Sequence, residues 1–237
     1  MILGIMQPYF FPYLGYFDLI NYSERWIVFD TVQYIRHGWV NRNRILHPAE
    51  GWSYIIVPVK SSRETTINDV HIAEDGKWQK RIMGQLQHYK RKAPHYRAVI
   101  DLLEACFAFK GALLSEFNTF SLQKVCAYLG IPFNYSVFSS MKLELDPVEE
   151  PGDWALRISQ SLGASEYINP PGGEQLFDKG KFADRQIKLT IRNLPTLRYD
   201  CPGYQFEPNL SILDVLMWNE PEMVRRYLDA HLHKANT

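Results

Sequence analysis

Four short stretches of the 237-residue chain carry side chains able to do chemistry, and each falls just after a run that reads as a β-strand. The first is Gln7 with the aromatic loop that holds Tyr9, Tyr13 and Tyr16. The second is Asp30 with Gln33, the third is Lys60, and the fourth is the loop from Asn169 through Gly172 and Gly173. Tyrosine rings can lie against a base or a sugar while their hydroxyls bond outward. The competing reading of that loop is a staple, in which prolines and aromatics fix a strand to a helix. Asp30 can bind a ribose hydroxyl, hold a divalent ion or act as a general base, and it can equally cap a turn. In open α/β sheets ligands bind at the carboxyl ends of the strands, which places Gln7 and Asp30 at the mouth of a crevice.

Other groups add to this set. In Asn41-Arg42-Asn43-Arg44 the two arginines share one face if the segment is extended. Two guanidinium forks on one side suit a phosphate or carboxylate, whereas a solvated surface loop is the plainer reading. Asn169-Pro-Pro-Gly-Gly-Glu pairs glycines with a helix start near Gln175, and unpaired backbone N–H groups there can cradle an anion. It is neither a Walker A loop nor a GxGxxG fingerprint. His37 and His95 stand among polar and aromatic residues and are the histidines available for acid–base work, although a satisfied structural histidine competes at each position. His231-x-His233 has metal-ligand spacing but sits in a polar tail expected to fray. No metal site and no GxSxG elbow is expected. The candidate catalytic set is therefore Asp30, Gln7 and His37.

The elements that position these groups follow from hydrophobic patterning. Ile2 to Met6 reads as an inner strand of a parallel sheet, followed by turn chemistry, a helical face carrying Leu14, Phe17, Leu19 and Ile20, and a second strand at Trp26 to Phe29. That is a βαβ unit. Ile45-Leu46 and Trp52 to Val59 read as β structure, and Ile67 to Ile72 alternates as an edge strand would. From Gly76 to Leu129 the pattern is helical, with segments at 77–86, 99–108 and 117–129. Strands follow at 133–138, 166–168 and 187–191, with helices inside 147–162 and at 210–218. Alternating strands and helices predict an α/β fold: a mostly parallel sheet flanked by helices, with a helical insertion at about 76–129 after the third strand, in one domain spanning 1–237. A parallel sheet would bring all four candidate stretches to one edge.

Composition excludes several classes of function. Lysine plus arginine equals aspartate plus glutamate at 26 each, so there is no global field for nucleic acid. No segment approaches a membrane span, and the opening run has no basic n-region before it breaks at Pro8. Cys106, Cys126 and Cys201 form no CxxC pair, which argues against a disulfide framework or zinc site and for a reducing cytoplasm. Cys201 is the one loop cysteine, with no base identifiable nearby. Aromatics at 14% favour a pocketed protein that binds a small molecule. The cofactor and the oligomeric state, a homo-oligomer included, stay open.

With those residues in view, the chain resembles the WbqC-like family of bacterial proteins. The resemblance rests on Gln7-Pro8-x-Phe10-Phe11-Pro12-x-Leu14-Gly15-Tyr16-Phe17, on Asp30-x-Val32-Gln33-Tyr34 and on Trp39-x-Asn41-Arg42-Asn43-Arg44-Ile45. It continues through Val57-Pro58-Val59-Lys60, Tyr89-x3-Ala93-Pro94 and Pro208-Asn209-x-Ser211-Ile212-x-Asp214. The family's usual opening has a histidine before Gln-Pro, and here Met6 stands in its place. Such proteins are typically encoded with enzymes that build O-antigen and other surface or secondary-metabolite glycans. The resemblance therefore implies a transferase acting on a nucleotide-linked sugar, or moving an activated acyl or aminoacyl group to an amino sugar; the alternative is a non-catalytic nucleotide-sugar binding or scaffolding protein. The strand, aromatic loop and helix also resemble the first motif of nucleotidylyltransferases, whose loop cradles phosphates.

Overall fold

The structure is a computed structural model that describes residues 1–73 and 76–232. Residues 233–237, where the frayed tail and His233 were expected, lie outside the described residues.

The N-terminal run forms β1 (Ile2–Met6), followed by α1 (Leu14–Tyr22) and β2 (Arg25–Val28). These two strands pair in parallel, Leu3 opposite Arg25 through Met6 opposite Val28, which is the βαβ unit expected from the patterning. Three further strands complete the main sheet: β7 (Tyr135–Val137), β8 (Glu166–Asn169) and β9 (Lys188–Ile191). All pairs are parallel, and the order is β7-β2-β1-β8-β9. Counted along the chain, the five lie 3-2-1-4-5. The chain therefore winds outward on one side of β1, then returns to wind outward on the other, and the switch point lies between β1 and β8.

Alternating side chains load both faces of this sheet. Leu3, Ile5, Ile27 and Tyr167 pack with Leu156 and Ile158 of α5 (Asp153–Ser161) and Phe182 of α6 (Lys179–Asp184). Trp26, Val28 and Ile168 point the other way, into a larger cluster shared with α1, α4 (Leu114–Leu129) and α8 (Pro221–Asp229). Helices on both faces of a parallel sheet are what the α/β reading predicts.

The long excursion between β2 and β7 carries two antiparallel ribbons and three helices. β3 (Arg42–Leu46) pairs with β4 (Trp52–Ile56), and β5 (Val59–Lys60) pairs with β6 (His71–Ile72). The run expected as an edge strand at 67–72 is instead a 3-10 turn, Ile67–Asp69, followed by those two paired residues. The turn puts Ile67 and Val70, three residues apart, on one side, and both are fully buried within the larger core. α2 (Trp78–Gln85), α3 (Tyr96–Phe107) and α4 account for the helical block. In the segment expected to start a helix near Gln175, a 3-10 turn, Pro171–Leu176, precedes α6, whose first turn is capped by the Asp178 carboxylate.

Candidate active-site cleft

A cleft of about 1220 Å³ opens over the carboxyl edge of the sheet, at the switch point between β1 and β8. Gln7 follows β1 on its floor, and Asn169 with the Pro170-to-Gly173 turn follows β8. One wall belongs to the face that holds α1 and carries Tyr9, Tyr13, Gly15, Arg44 and Tyr199. The opposite wall belongs to the face that holds α5 and carries Glu149, Trp154, Leu176 and Phe177.

The loop joining β1 to α1 is fixed by hydrogen bonds that come from far along the chain. Asn118 donates its side-chain amide to the carbonyls of Pro8 (2.8 Å) and Val40 (2.7 Å). Asn43 donates to the carbonyls of Phe10 (3.0 Å) and Phe11 (2.9 Å), and its own Oδ1 accepts the N–H of Arg44 (2.8 Å). The Ser211 hydroxyl donates to the same Phe11 carbonyl at 2.7 Å, while the Ser211 N–H bonds the Arg44 carbonyl at 2.8 Å. Tyr16, fully buried, donates its hydroxyl to the Gln7 carbonyl at 2.8 Å. Phe11 itself sits at φ +38°, a sparsely populated backbone region, so the clamp holds a strained loop in one shape.

These contacts sort the residues singled out from the sequence. Gln7, Tyr9, Tyr13, Gln33, Asn43, Arg44, Gly172 and Gly173 all border the cleft. Asn43 nevertheless acts through the clamp, because its amide is buried and its polar atoms are already bonded. Tyr16 belongs to the core. Asn41 bonds the Val57 carbonyl at 3.0 Å and ties the loop to the ribbon. Arg42 and Arg44 share one face of β3, as alternation requires, but only Arg44 borders the cleft. Arg42 lies over the Tyr54 ring and donates to the carbonyls of His37 and Gly38, so it shapes that turn.

Asp30, His37 and Lys60 do not border the cleft. Asp30 is 2% exposed, and its two oxygens accept the N–H (3.0 Å) and the hydroxyl (2.7 Å) of Ser139. It caps the turn after β7, and the geometry gives it that job rather than contact with a ligand. His37 is exposed at φ +64° on the turn that Arg42 holds. Lys60 follows no strand of the parallel sheet; it lies on the short β5–β6 ribbon and is exposed, because the Trp52-to-Val59 run folds as ribbon instead of joining the main sheet. The Gln7 loop and the Asn169-to-Gly173 turn therefore converge, the second stretch joins them only through Gln33, and Lys60 does not. Cys201 is buried against the Tyr204 carbonyl, and burial pushes its thiol pKa up, which disfavours the nucleophilic thiolate.

Several residues at the cleft had no signature in the sequence. Arg192, just after β9, borders it and forms a buried two-point ion pair with Asp18 of α1, at 2.6 and 2.9 Å. Burial raises the Asp18 pKa, and the guanidinium pulls it back. An aspartate on the buried face of α1 was the available clue, since a buried charge calls for a partner. Tyr199 donates to Asp214 at 2.7 Å, and Asp214 also accepts from Tyr89 at 2.5 Å. Burial, then the charge of Asp214, pushes the Tyr199 hydroxyl far above the usual tyrosine range. The Leu46 N–H donates to Tyr89, so this network staples β3, and with it Arg44, to α7 (Ile212–Trp218).

Charge on the cleft is divided. In the parallel topology the first turns of α1, α5 and α6 all face the carboxyl edge. Asp153 supplies a carboxylate at the start of α5, accepting the N–H groups of Glu149 and Glu150, and Asp178 does so for α6. α1 has no side-chain cap and no acidic residue in its first turn. Beside it stands Arg44, whose guanidinium lies 5.4 Å from the Trp39 ring and 5.0 Å from the Trp52 ring and donates to the Asn209 carbonyl. None of the ion pairs found among the described residues involves Arg44. A helix N-terminus and an arginine without a carboxylate partner make this wall favourable to an anion. Among the described residues no group of three or more His, Cys, Asp or Glu is arranged to hold a metal ion, and no helix is long and apolar enough to cross a membrane.

The motif residues that build this clamp and cleft coincide with the match to a family model, that of the WbqC-like protein family, over residues 7–226. The chain belongs to that family. A relative described as the uncharacterized protein Rv1507c of Mycobacterium tuberculosis is 29% identical over 230 residues, covering 90% of this chain and 92% of the relative. No solved structure matches the chain. Among WbqC-like motifs, the stretches around Gln7, Asn43 and Ser211 meet in space at the β1–α1 loop.

Proposed function

We propose that this WbqC-like protein is a transferase of bacterial surface-glycan or modified-sugar biosynthesis that binds a phosphate-bearing, nucleotide-linked sugar in the cleft. One observation carries the reading: at the switch point of a 3-2-1-4-5 sheet, the first turn of α1 lacks an acidic cap, and Ser211 links Tyr13, just before that turn, to the backbone of Arg44, which borders the same cleft. Phosphates bind at such helix starts because unpaired N–H groups and the helix dipole both favour negative charge. The diphosphate would rest between the first turn of α1 and the Arg44 guanidinium, with Tyr9 and Tyr13 against the base or sugar. As the phosphate–sugar bond breaks, negative charge grows on the leaving oxygen, and donors already fixed in place favour that charge without reorganising. The clamp from Asn43, Asn118 and Ser211 is what keeps them fixed.

Isothermal titration calorimetry with UDP and with uridine tests this. UDP is expected to bind and uridine to bind at least tenfold more weakly. Arg44→Ala should weaken UDP about tenfold or more, the loss of about 1.4 kcal/mol or more from a charge-assisted contact. Equal affinity for UDP and uridine, or no UDP binding at millimolar concentration, would sink the reading. A second reading, a nucleotide-sugar binding subunit without turnover, is favoured by the bonding of both Asp30 oxygens to Ser139, which leaves that carboxylate away from the cleft. Product analysis on a panel of nucleotide sugars and amine acceptors separates the two.

A further inference from the structure

The cleft is larger than one ligand needs. Pockets for a single small molecule run to roughly 300–1,000 Å³, and this one measures about 1220 Å³. Its two walls also differ in kind. The α1 wall offers the helix start and Arg44. On the α5 wall the nearby cation, Lys181, is taken by Asp153 at 2.9 Å and Glu150 at 3.5 Å, and among the described residues the cations that border the cleft are Arg44 and the ion-paired Arg192. That wall is built on aromatic surface: the rings of Phe29 and Trp154 are 5.5 Å apart, both are partly exposed, and Phe138 packs behind them. Exposed Glu149 borders the same cleft with its backbone N–H held by Asp153, and none of the ion pairs found among the described residues involves its carboxylate.

The chemistry of the walls points the same way. Among the described residues bordering the cleft there is no cysteine, serine, histidine or lysine. The carboxylates that border it are Glu149, Glu150 and Glu207, so acid–base help to an acceptor is available at the walls. A cleft of this size lets a donor hand its group straight to an acceptor that is bound at the same time.

We propose that the α5 wall, with Trp154, Phe29 and Glu149, is a separate acceptor subsite for an amino sugar, occupied together with the nucleotide. This rests on the reading of the α1 wall as the nucleotide site. The apolar face of a pyranose would lie on the Trp154 and Phe29 rings, and its ammonium would face Glu149. In the transfer, the acceptor amine, once deprotonated, uses its lone pair to form the bond to the transferred carbon. The bond from that carbon to the phosphate oxygen breaks, and its electron pair leaves on the nucleoside diphosphate beside α1. The amine sheds its protons to Glu149 or to water.

Ligand-observed NMR with glucosamine, in the absence and presence of saturating UDP, tests the subsite. Glucosamine should bind the UDP-saturated protein with a Kd within threefold of that for free protein. Glu149→Gln, an exposed change that leaves the core intact, should weaken glucosamine at least fivefold and N-acetylglucosamine less than twofold. Trp154→Ala should weaken both sugars and leave UDP within twofold, while Arg44→Ala does the reverse. Displacement of glucosamine by UDP, no glucosamine binding, or equal effects of Trp154→Ala and Arg44→Ala on both probes would overturn the proposal. Glucosamine binding without UDP binding would remove the nucleotide reading and leave the sugar subsite; UDP binding without glucosamine binding would do the opposite.

Discussion

Replacing Asn43 by alanine probes the clamp on which the cleft depends. Asn43 is 4% exposed and makes three hydrogen bonds, to the carbonyls of Phe10 and Phe11 and from the N–H of Arg44. In Asn43→Ala the Phe11 carbonyl keeps the Ser211 hydroxyl, so two buried backbone groups, Phe10 C=O and Arg44 N–H, lose these partners. Each orphan costs about 1–3 kcal/mol, and water entering the vacated space recovers part of that. The expected net loss is about 2–4 kcal/mol, a fall in Tm of roughly 4–16 °C for a chain of this size. Urea unfolding followed by circular dichroism measures it, with Ser211→Ala as the control. Ser211→Ala should cost less, about 1–2 kcal/mol, because Asn43 still holds the Phe11 carbonyl. UDP affinity should drop in Asn43→Ala even well below its Tm, since the loop is released from its φ +38° conformation. A loss under about 0.5 kcal/mol with unchanged UDP affinity would mean that the loop holds its shape without the clamp, and the reasoning would fail.

Two further outcomes follow from close geometry and from charge. A Cβ at position 152 would lie 1.9 Å from the Leu176 carbonyl oxygen, a backbone atom that no rotamer change can move. Gly152→Ala should therefore destabilise by about 1–3 kcal/mol and displace the 176–177 segment of the cleft wall, read by urea unfolding and by weaker sugar binding. Lys181 and the N–H groups of Glu149 and Glu150 hold the Asp153 carboxyl below its ordinary value of 3.8. A carboxylate with a depressed folded-state pKa contributes stability that is fully present above the unfolded value and is lost as pH falls through the folded one. Stability should thus decline below about pH 4, less steeply in Lys181→Met than in the parent. Identical acid limbs in the two proteins would contradict that assignment.

The sequence made the sheet legible because its core strands are short apolar runs that alternate with amphipathic helices. The βαβ unit at the N-terminus and the convergence of Gln7, Gln33 and the Asn169-to-Gly173 turn followed from strand-end placement. What misled was the ribbon text. Trp52 to Val59 is as apolar as a sheet strand, yet it pairs locally with β3, which carries Lys60 away from the edge. Asp30 looked like chemistry for the same reason that it makes a good cap: its neighbours are uncharged, and only the fold reveals Ser139 as its partner. The asparagines of the Asn-Arg-Asn-Arg run look from sequence like further ligand contacts, whereas their side-chain NH2 groups donate to carbonyls more than ten residues away, at Phe10, Phe11 and Val57. Local pattern carries no record of such partners. The α5 wall was invisible for a related reason, since Trp154 and Glu149 acquire meaning only once β8 has been laid beside β1.

The central claim is that the carboxyl edge of this sheet receives a phosphate between α1 and Arg44. A crystal soaked with UDP tests it most directly. Difference density for the diphosphate against the N–H groups at the start of α1 and within hydrogen-bond distance of Arg44 is the result expected. Diphosphate density elsewhere on the molecule, or an empty cleft at a UDP concentration that saturates the protein in solution, would contradict it.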